Sequence, residues 1–184
     1  MKKYSKTIDI PNWHLISKKY AGWAEHGWDL HSKQIPKEDY EWLSEILVPP
    51  IEKFSGQKHK LVVAIMFFVA PHASRGIHID SFPEGWKYYP NWGLNIPIAN
   101  CDRSEQQWFN GNYTQETYHR PGGSYSEKLT WVTPPKLVES VSIDTPTLVY
   151  VDIPHDVKNN SNLPRTLLSV RFTPNPITVT PLKE

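Results

Sequence analysis

A mainly β fold of the jelly-roll or related barrel type is what the sequence predicts, with one or two helices packed outside it. Three observations predict it. After residue 60, short runs rich in β-branched and aromatic residues recur; Gly, Pro and Asn-rich turns separate them; and only one stretch, after Pro36, repeats its apolar residues at helical spacing. The 184 residues suit one sizeable core better than two. A single domain over 1–184 is expected, with N-terminal strands and a helix in 1–60, the jelly-roll core in 61–172 and a tail in 173–184.

The elements follow from punctuation. Residues 1–34 are polar and aromatic without a clear period, which predicts one or two short strands laid against the core. Pro36 suits a first helical turn, and Tyr40, Leu43, Ile46 and Leu47 recur at helical spacing until Pro49-Pro50 interrupts them. A second short turn is expected through Ile51 and Phe54. The run 61–70 is β-branched and aromatic and ends at Pro71, so it reads as a fully buried strand; it is far below the ~20 residues that cross a bilayer as a helix. Further strands are expected at 76–80, 92–99, 106–110, 137–143, 147–153 and 165–172. Two long connections, 81–91 and 112–135, carry Phe82, Trp86, Tyr88, Tyr89, Tyr113, Tyr118, Tyr125 and Trp131. Loops on a rigid scaffold are where specificity resides, although such aromatics serve equally to cap a barrel.

One constellation carries chemistry. In Gly76-Ile77-His78-Ile79-Asp80 the residues alternate, so a strand would point His78 and Asp80 one way and both isoleucines the other. His155 follows Asp80 by 75 residues, and Arg165 lies ten further on. Two imidazoles and a carboxylate on one face leave adjacent coordination positions of Fe(II) open, the facial arrangement of non-haem oxygenases. A His-x-Asp/Glu triplet alone arises in this composition roughly once by chance. The strand, turn and strand around His155 and Arg165 give it context. In the run from Trp92 to Ile98, Trp92, Leu94, Ile96 and Ile98 share a face and Asn95 takes the other, where its amide either reaches a ligand in the barrel or bridges strands.

The segment Ile153-Pro-His-Asp-Val-Lys-Asn159 through Pro164-Arg165-Thr-Leu-Leu-Ser169 resembles the C-terminal signature of the aspartyl/asparaginyl β-hydroxylases and, more broadly, of the 2-oxoglutarate and Fe(II)-dependent dioxygenases. The resemblance covers roughly residues 62–172. It implies a double-stranded β-helix, cupin-like, with Fe(II) held by His78, Asp80 and His155. It also implies 2-oxoglutarate as cosubstrate, anchored by Arg165, with Asn95 as a further candidate contact. A small-molecule or peptide substrate, O2 as co-reactant and conversion of 2-oxoglutarate to succinate and CO2 follow from the same likeness. The β-hydroxylase branch lacks a carboxylate at the position of Asp80. This chain has one, which points to the mainstream three-ligand enzymes and away from halogenases. Arg171 shares the face of Arg165 by parity, but six residues put roughly 20 Å between their backbones. It is therefore expected to pair with an acidic side chain near the far end of the strand.

Charge and cysteine content narrow the classes. Net charge is +1 and the sequence pI about 7.9, so no basic field points to nucleic acid. Cys101 is the only cysteine and excludes an internal disulfide. With no apolar run of signal-peptide length, a cytoplasmic protein without membrane attachment is expected. A structural zinc site lacks its cysteines, and neither a phosphate loop nor a nucleophile elbow is present. Two other classes remain: a jelly-roll carbohydrate-binding module using runs such as Trp86 to Trp92 and Trp108-Phe109 as platforms, and a metal-binding cupin that does not use 2-oxoglutarate.

Overall fold

The computed structural model describes residues 2–26, 31–80, 91–119, 125–178 and 182–183. The N-terminal part holds β1 (Lys2–Lys3), β2 (Ser5–Thr7), α1 (Trp13–Tyr20), α2 (Trp23–His26), β3 (Ser32–Gln34) and α3 (Tyr40–Ser55). The remainder holds β4 (Lys60–Val69), β5 (Trp92–Ala99), β6 (Ser104–Asn110), β7 (Tyr113–His119), β8 (Tyr125–Trp131) and β9 (Lys136–Val141), then β10 (Thr147–Tyr150), β11 (His155–Asn159), β12 (Arg165–Thr173) and β13 (Leu182–Lys183). The strands form a jelly roll. A six-stranded antiparallel sheet runs β2-β10-β5-β12-β4-β3, and a three-stranded one runs β11-β6-β9. β7 with β8, and β1 with β13, form separate two-stranded pairs.

Alternation divides the large sheet into two environments. On β12, Leu168, Val170 and Phe172 join Ala64, Met66 and Phe68 of β4, and Trp92, Leu94 and Ile96 of β5, in a cluster shared with the helices. α3 supplies Leu43, Leu47 and Ile51 at four-residue spacing, and α1 supplies Ile16 and Tyr20. Each such aliphatic side chain stabilises by ~1.5–3 kcal/mol when fully buried. The opposite face of β12 presents Arg165, Leu167, Ser169 and Arg171 to the barrel interior.

Four expectations change. α3 continues through Pro49 and Pro50 instead of stopping there. The two prolines leave the carbonyls of Glu45 and Ile46 without i+4 donors, and the buried stripe Leu43, Leu47, Ile51 keeps the helix on the sheet regardless. Residues 13–20, in the stretch expected to hold one or two short strands, form α1, which lies against β5 and donates Ser17 Oγ to the Pro97 carbonyl at 2.6 Å. Segment 76–80 makes only the isolated bridge of His78 with His155, and Gly76 turns the chain with φ of 80°. Within 112–135, β7 and β8 pair in register from Tyr113 with Trp131 to His119 with Tyr125, so much of that connection is a hairpin.

Pro97 also shapes the sheet. Without an N–H it cannot continue the ladder, and the pairing of β12 with β5 shifts between Thr166 and Leu167, where Pro97 is the partner.

Candidate metal centre and cavity

Backbone pairing brings the two histidines together. His78 and His155 are bridge partners, each donating its N–H to the other's carbonyl at 2.8 Å, and their ring centroids lie 4.5 Å apart. Asp80, two residues on and therefore on the same side, donates its N–H to the Val151 carbonyl at 3.2 Å. Its Oδ1 stands 3.7 Å from His78 Nε2 and 3.5 Å from His155 Nε2. One ligand atom from each of the three side chains lies within 4.8 Å of the others.

The outer ring nitrogens fix the chemistry. His78 Nδ1 bonds the Gly76 carbonyl at 2.7 Å and His155 Nδ1 the Ile153 carbonyl at 2.9 Å. A carbonyl only accepts, so both Nδ1 atoms carry a proton, and both Nε2 atoms, on the Asp80 side, are the positions a metal would take. Burial, together with the neighbouring His155, pushes His78 below its ordinary value, toward the neutral form a metal takes. For Asp80 burial acts upward, yet His155, Arg171 and His78 together hold its carboxyl well below the usual range. Three acceptors thus converge on one point, a donor set that fits a divalent cation and, in its composition, iron.

The cluster opens on a cavity of about 50 Å³ that is also lined by Asn95, Arg165, Ser169 and Arg171. That is room for more than one water-sized group. Arg165 is 2% exposed; its Nε donates to Ser104 Oγ at 2.9 Å, and among the described residues no carboxylate pairs with it. Burial and the nearby Arg75 cation push its guanidinium below the ordinary value, though an arginine stays charged. A buried cation without a counter-ion is costly, so this one calls for an anion in the cavity.

Arg171 pairs with an acidic side chain as expected, but not apart from the cavity that Arg165 lines. Both arginines line the same cavity, and the acidic partner of Arg171 is Asp80 itself, with Nη2 at 2.7 Å from Oδ2. Two guanidiniums reach inward from the two ends of one strand, a convergence that counting backbone rise overlooks. Arg171 Nη1 also donates to Ser169 Oγ at 2.6 Å, and Ser169 Oγ lies 2.6 Å from Asn95 Oδ1. Ser169 Oγ, which accepts from Arg171, thus donates to Asn95 Oδ1, and Asn95 lines the cavity beside both.

Several residues that hold this arrangement escaped sequence reasoning. Asn159 donates to the carbonyls of Val69, Ala70 and Leu163 at 3.1, 3.1 and 2.8 Å and accepts from Ser161, pinning the turn that separates His155 from Arg165. Its signal was an Asn amid a polar turn, too common to single out. His155 opens a strand of its own, β11, after the expected strand that ends before it. The aromatics at 82–89 lie outside the described residues. Trp92 and Trp108 are fully buried, and Trp108 Nε1 donates to the Tyr150 carbonyl at 2.7 Å, so neither is a sugar platform.

No protein-family model and no curated protein matches the sequence. Solved structures do match. AviO1 from Streptomyces viridochromogenes Tue57 superposes with a TM-score of 0.53 at 12% identity, over 93% of this chain and 90% of that one. Apo HygX from Streptomyces hygroscopicus gives 0.52 at 11%, over 93% and 82%. The non-heme alpha ketoglutarate dependent epimerase SnoN from nogalamycin biosynthesis gives 0.50 at 12%, over 93% and 78%. At these identities the likeness is one of fold, the jelly roll described above.

Proposed function

We propose that the chain is an Fe(II)- and 2-oxoglutarate-dependent oxygenase in which His78, Asp80 and His155 hold the metal and Arg165 binds the distal carboxylate of 2-oxoglutarate. One observation carries the reading: a single cavity joins three convergent acceptors that need a cation to a buried guanidinium that needs an anion. 2-Oxoglutarate answers both, with a chelating 2-oxo acid at one end and a carboxylate at the other. The bound metal, with 2-oxoglutarate and O2, supplies the oxidising chemistry.

The protein's own residues bind, orient and exclude. The backbone carbonyls of Gly76 and Ile153 fix both imidazole tautomers. Ser104 aims Arg165, and a guanidinium offers the planar fork that a carboxylate takes. Asn95 Nδ2, oriented through Ser169, donates to an oxygen of the cosubstrate. Phe67, Val69, Val151, Val157 and Leu167 give the cavity apolar walls that limit water, and Arg75 and Gln106 complete the lining.

The substrate class we favour is an amino-acid or peptide side chain, from the likeness of segment 153–169 to the β-hydroxylases. SnoN, an epimerase by its description, adds small molecules and outcomes other than hydroxylation to the range worth assaying. Residues 1–184 act as one domain in this reading, in a reducing cytoplasm that also suits the buried Cys101 thiol. Among the described residues no helix is long and apolar enough to cross a membrane.

The experiment is anaerobic addition of Fe(II) and then 2-oxoglutarate to the purified protein. A visible charge-transfer band that needs both, and succinate once air and substrate are admitted, are expected. Metal binding without any band would turn the protein into a metal-binding cupin of another kind.

A further inference from the structure

Arg171 is held on two sides, although it touches neither imidazole in any hydrogen bond. It is 5% exposed, bonded to Asp80 Oδ2 on one side and Ser169 Oγ on the other. Opposite it in the sheet stands Gly93, its register partner on β5. A Cβ on Gly93 would lie 1.6 Å from Arg171 Nη1, so the guanidinium fills the volume that any other residue's side chain would need. Gly93 takes no left-handed backbone angle that would otherwise call for glycine. The glycine is there for space.

A buried ion pair is weak evidence for stability, since apolar residues of equal volume do as well or better in its place. Its effect on Asp80 is more specific. Oδ2 is taken by Arg171, while Oδ1 faces the two Nε2 atoms. Without a cation at the cluster, Arg171 gives Asp80 an opposite charge at 2.7 Å. With a divalent ion on Oδ1, the same guanidinium becomes a like charge across one carboxylate, and like charges at such range repel strongly in a partly desolvated site.

We propose that Arg171 is a built-in counter-ion and positioning residue: it restricts Asp80 to one ligating oxygen, keeps the metal-free site folded, and holds metal affinity below that of the bare three-ligand cluster. This rests on the metal-site reading above. It predicts an opposition between stability and affinity that a structural salt bridge would not produce. Removing Arg171 harms the metal-free protein, and the metal makes good the loss.

The test uses Mn(II) alone, by anaerobic calorimetric titration and by thermal unfolding with and without the ion, on the wild-type chain, Arg171→Met, Arg171→Lys and Ser169→Ala. We expect Arg171→Met to lower the metal-free Tm, to bind Mn(II) about tenfold tighter or more, and to gain more Tm from Mn(II) than wild type does. Arg171→Lys, which keeps the charge, should stay within about threefold of the wild-type Kd. Ser169→Ala, which loosens the seat without removing the charge, should move the Kd less than Arg171→Met does. Recovery of folded Arg171→Met only when Mn(II) is present supports the proposal equally. Equal or weaker Mn(II) binding by Arg171→Met, or the same Tm loss with and without the ion, overturns it. Should that variant not fold even with Mn(II), the proposal is likewise overturned, because the guanidinium would then be a structural necessity. A wild-type chain that binds no Mn(II) instead defeats the metal-site reading itself, and the two failures are told apart by that first titration.

Discussion

Replacing Arg165 by methionine separates a ligand-binding cation from a structural one. The side chain is 2% exposed, with Ser104 Oγ at 2.9 Å from its Nε and the Cys101 thiol beside it. Methionine fills a similar volume and removes a buried charge that no described carboxylate compensates. Such a replacement is neutral or stabilising by ~1–4 kcal/mol, and at ~2–4 °C per kcal/mol for a chain of this size the Tm should hold level or rise by several degrees. Binding of 2-oxoglutarate moves the other way. Hydrogen bonds to charged groups contribute ~1.5–3 kcal/mol each, and a bidentate pair has two. Part of that is offset by the lower cost of an uncharged cavity wall, so a net loss of about 3 kcal/mol, or roughly a hundredfold in Kd, is expected. The assay is titration of 2-oxoglutarate into the Fe(II) protein without oxygen, with thermal unfolding in parallel. In the wild type, cosubstrate at a hundred times its Kd should add ~2.7 kcal/mol of stability, and most of that increment should vanish in the variant. Arg165→Lys should fall between, since an ammonium lacks the planar fork. Wild-type affinity in Arg165→Met, or a collapse of its stability, would refute the reasoning.

Asp80→Ala should abolish succinate formation and weaken Mn(II) binding by about a hundredfold or more, since it removes the anionic donor of the set; calorimetric titration reads the second effect without any turnover. Asn95→Asp replaces the amide donor by an acceptor and sets a second carboxylate near Asp80, so the 2-oxoglutarate KM should rise at least tenfold while Asn95→Ser recovers part of it, by steady-state kinetics. Far from the cavity, hydrogen bonds from Lys19 and Tyr20 at 2.6 and 2.7 Å hold the Asp39 carboxyl below its usual range. A depressed carboxylate contributes stability that is present above its unfolded pKa and lost as pH falls through the folded one. Thermal unfolding of Asp39→Asn should therefore match its wild-type loss only below the ordinary carboxylate range, with the difference between the two largest near neutral pH.

What was legible in the sequence was whatever depends on local alternation and punctuation. The positions of β4, β5 and β12 follow from runs of apolar residues ended by Pro or polar turns. The likeness of His78 and Asp80 in direction follows from a period of two even though their segment is not a regular strand. What was hidden depends on neighbours far away in the chain. α1 shows a poor period because only Ile16 and Tyr20 of its eight residues are buried, while Leu15 stays exposed. The continuation of α3 past two prolines is decided by packing, which outweighs a local penalty that sequence reading took as final. The pairing of Arg171 with Asp80 needs the strand order β5-β12-β4 and the bridge at His78, neither of which is written in the residues flanking Arg171.

The strand β12 shows why such a polar interior is tolerated. Eight of its residues in succession are buried, yet they alternate between two worlds. Leu168, Val170 and Phe172 sit in the cluster that the sheet shares with the helices, and at ~1.5–3 kcal/mol for each buried side chain that face contributes a stability comparable with a typical domain's whole margin. The inner face is thereby released from contributing to stability, and it carries two guanidiniums and a hydroxyl where a folding-optimised barrel would carry aliphatics. Neighbours tune their placement. Gly93 clears a seat for Arg171, Ser104 steers Arg165, and Asn159 fixes the turn that sets the distance from His155 to Arg165. Local rules are broken here together, on one face and around one cavity, which is how a site selected for chemistry differs from a core selected for packing.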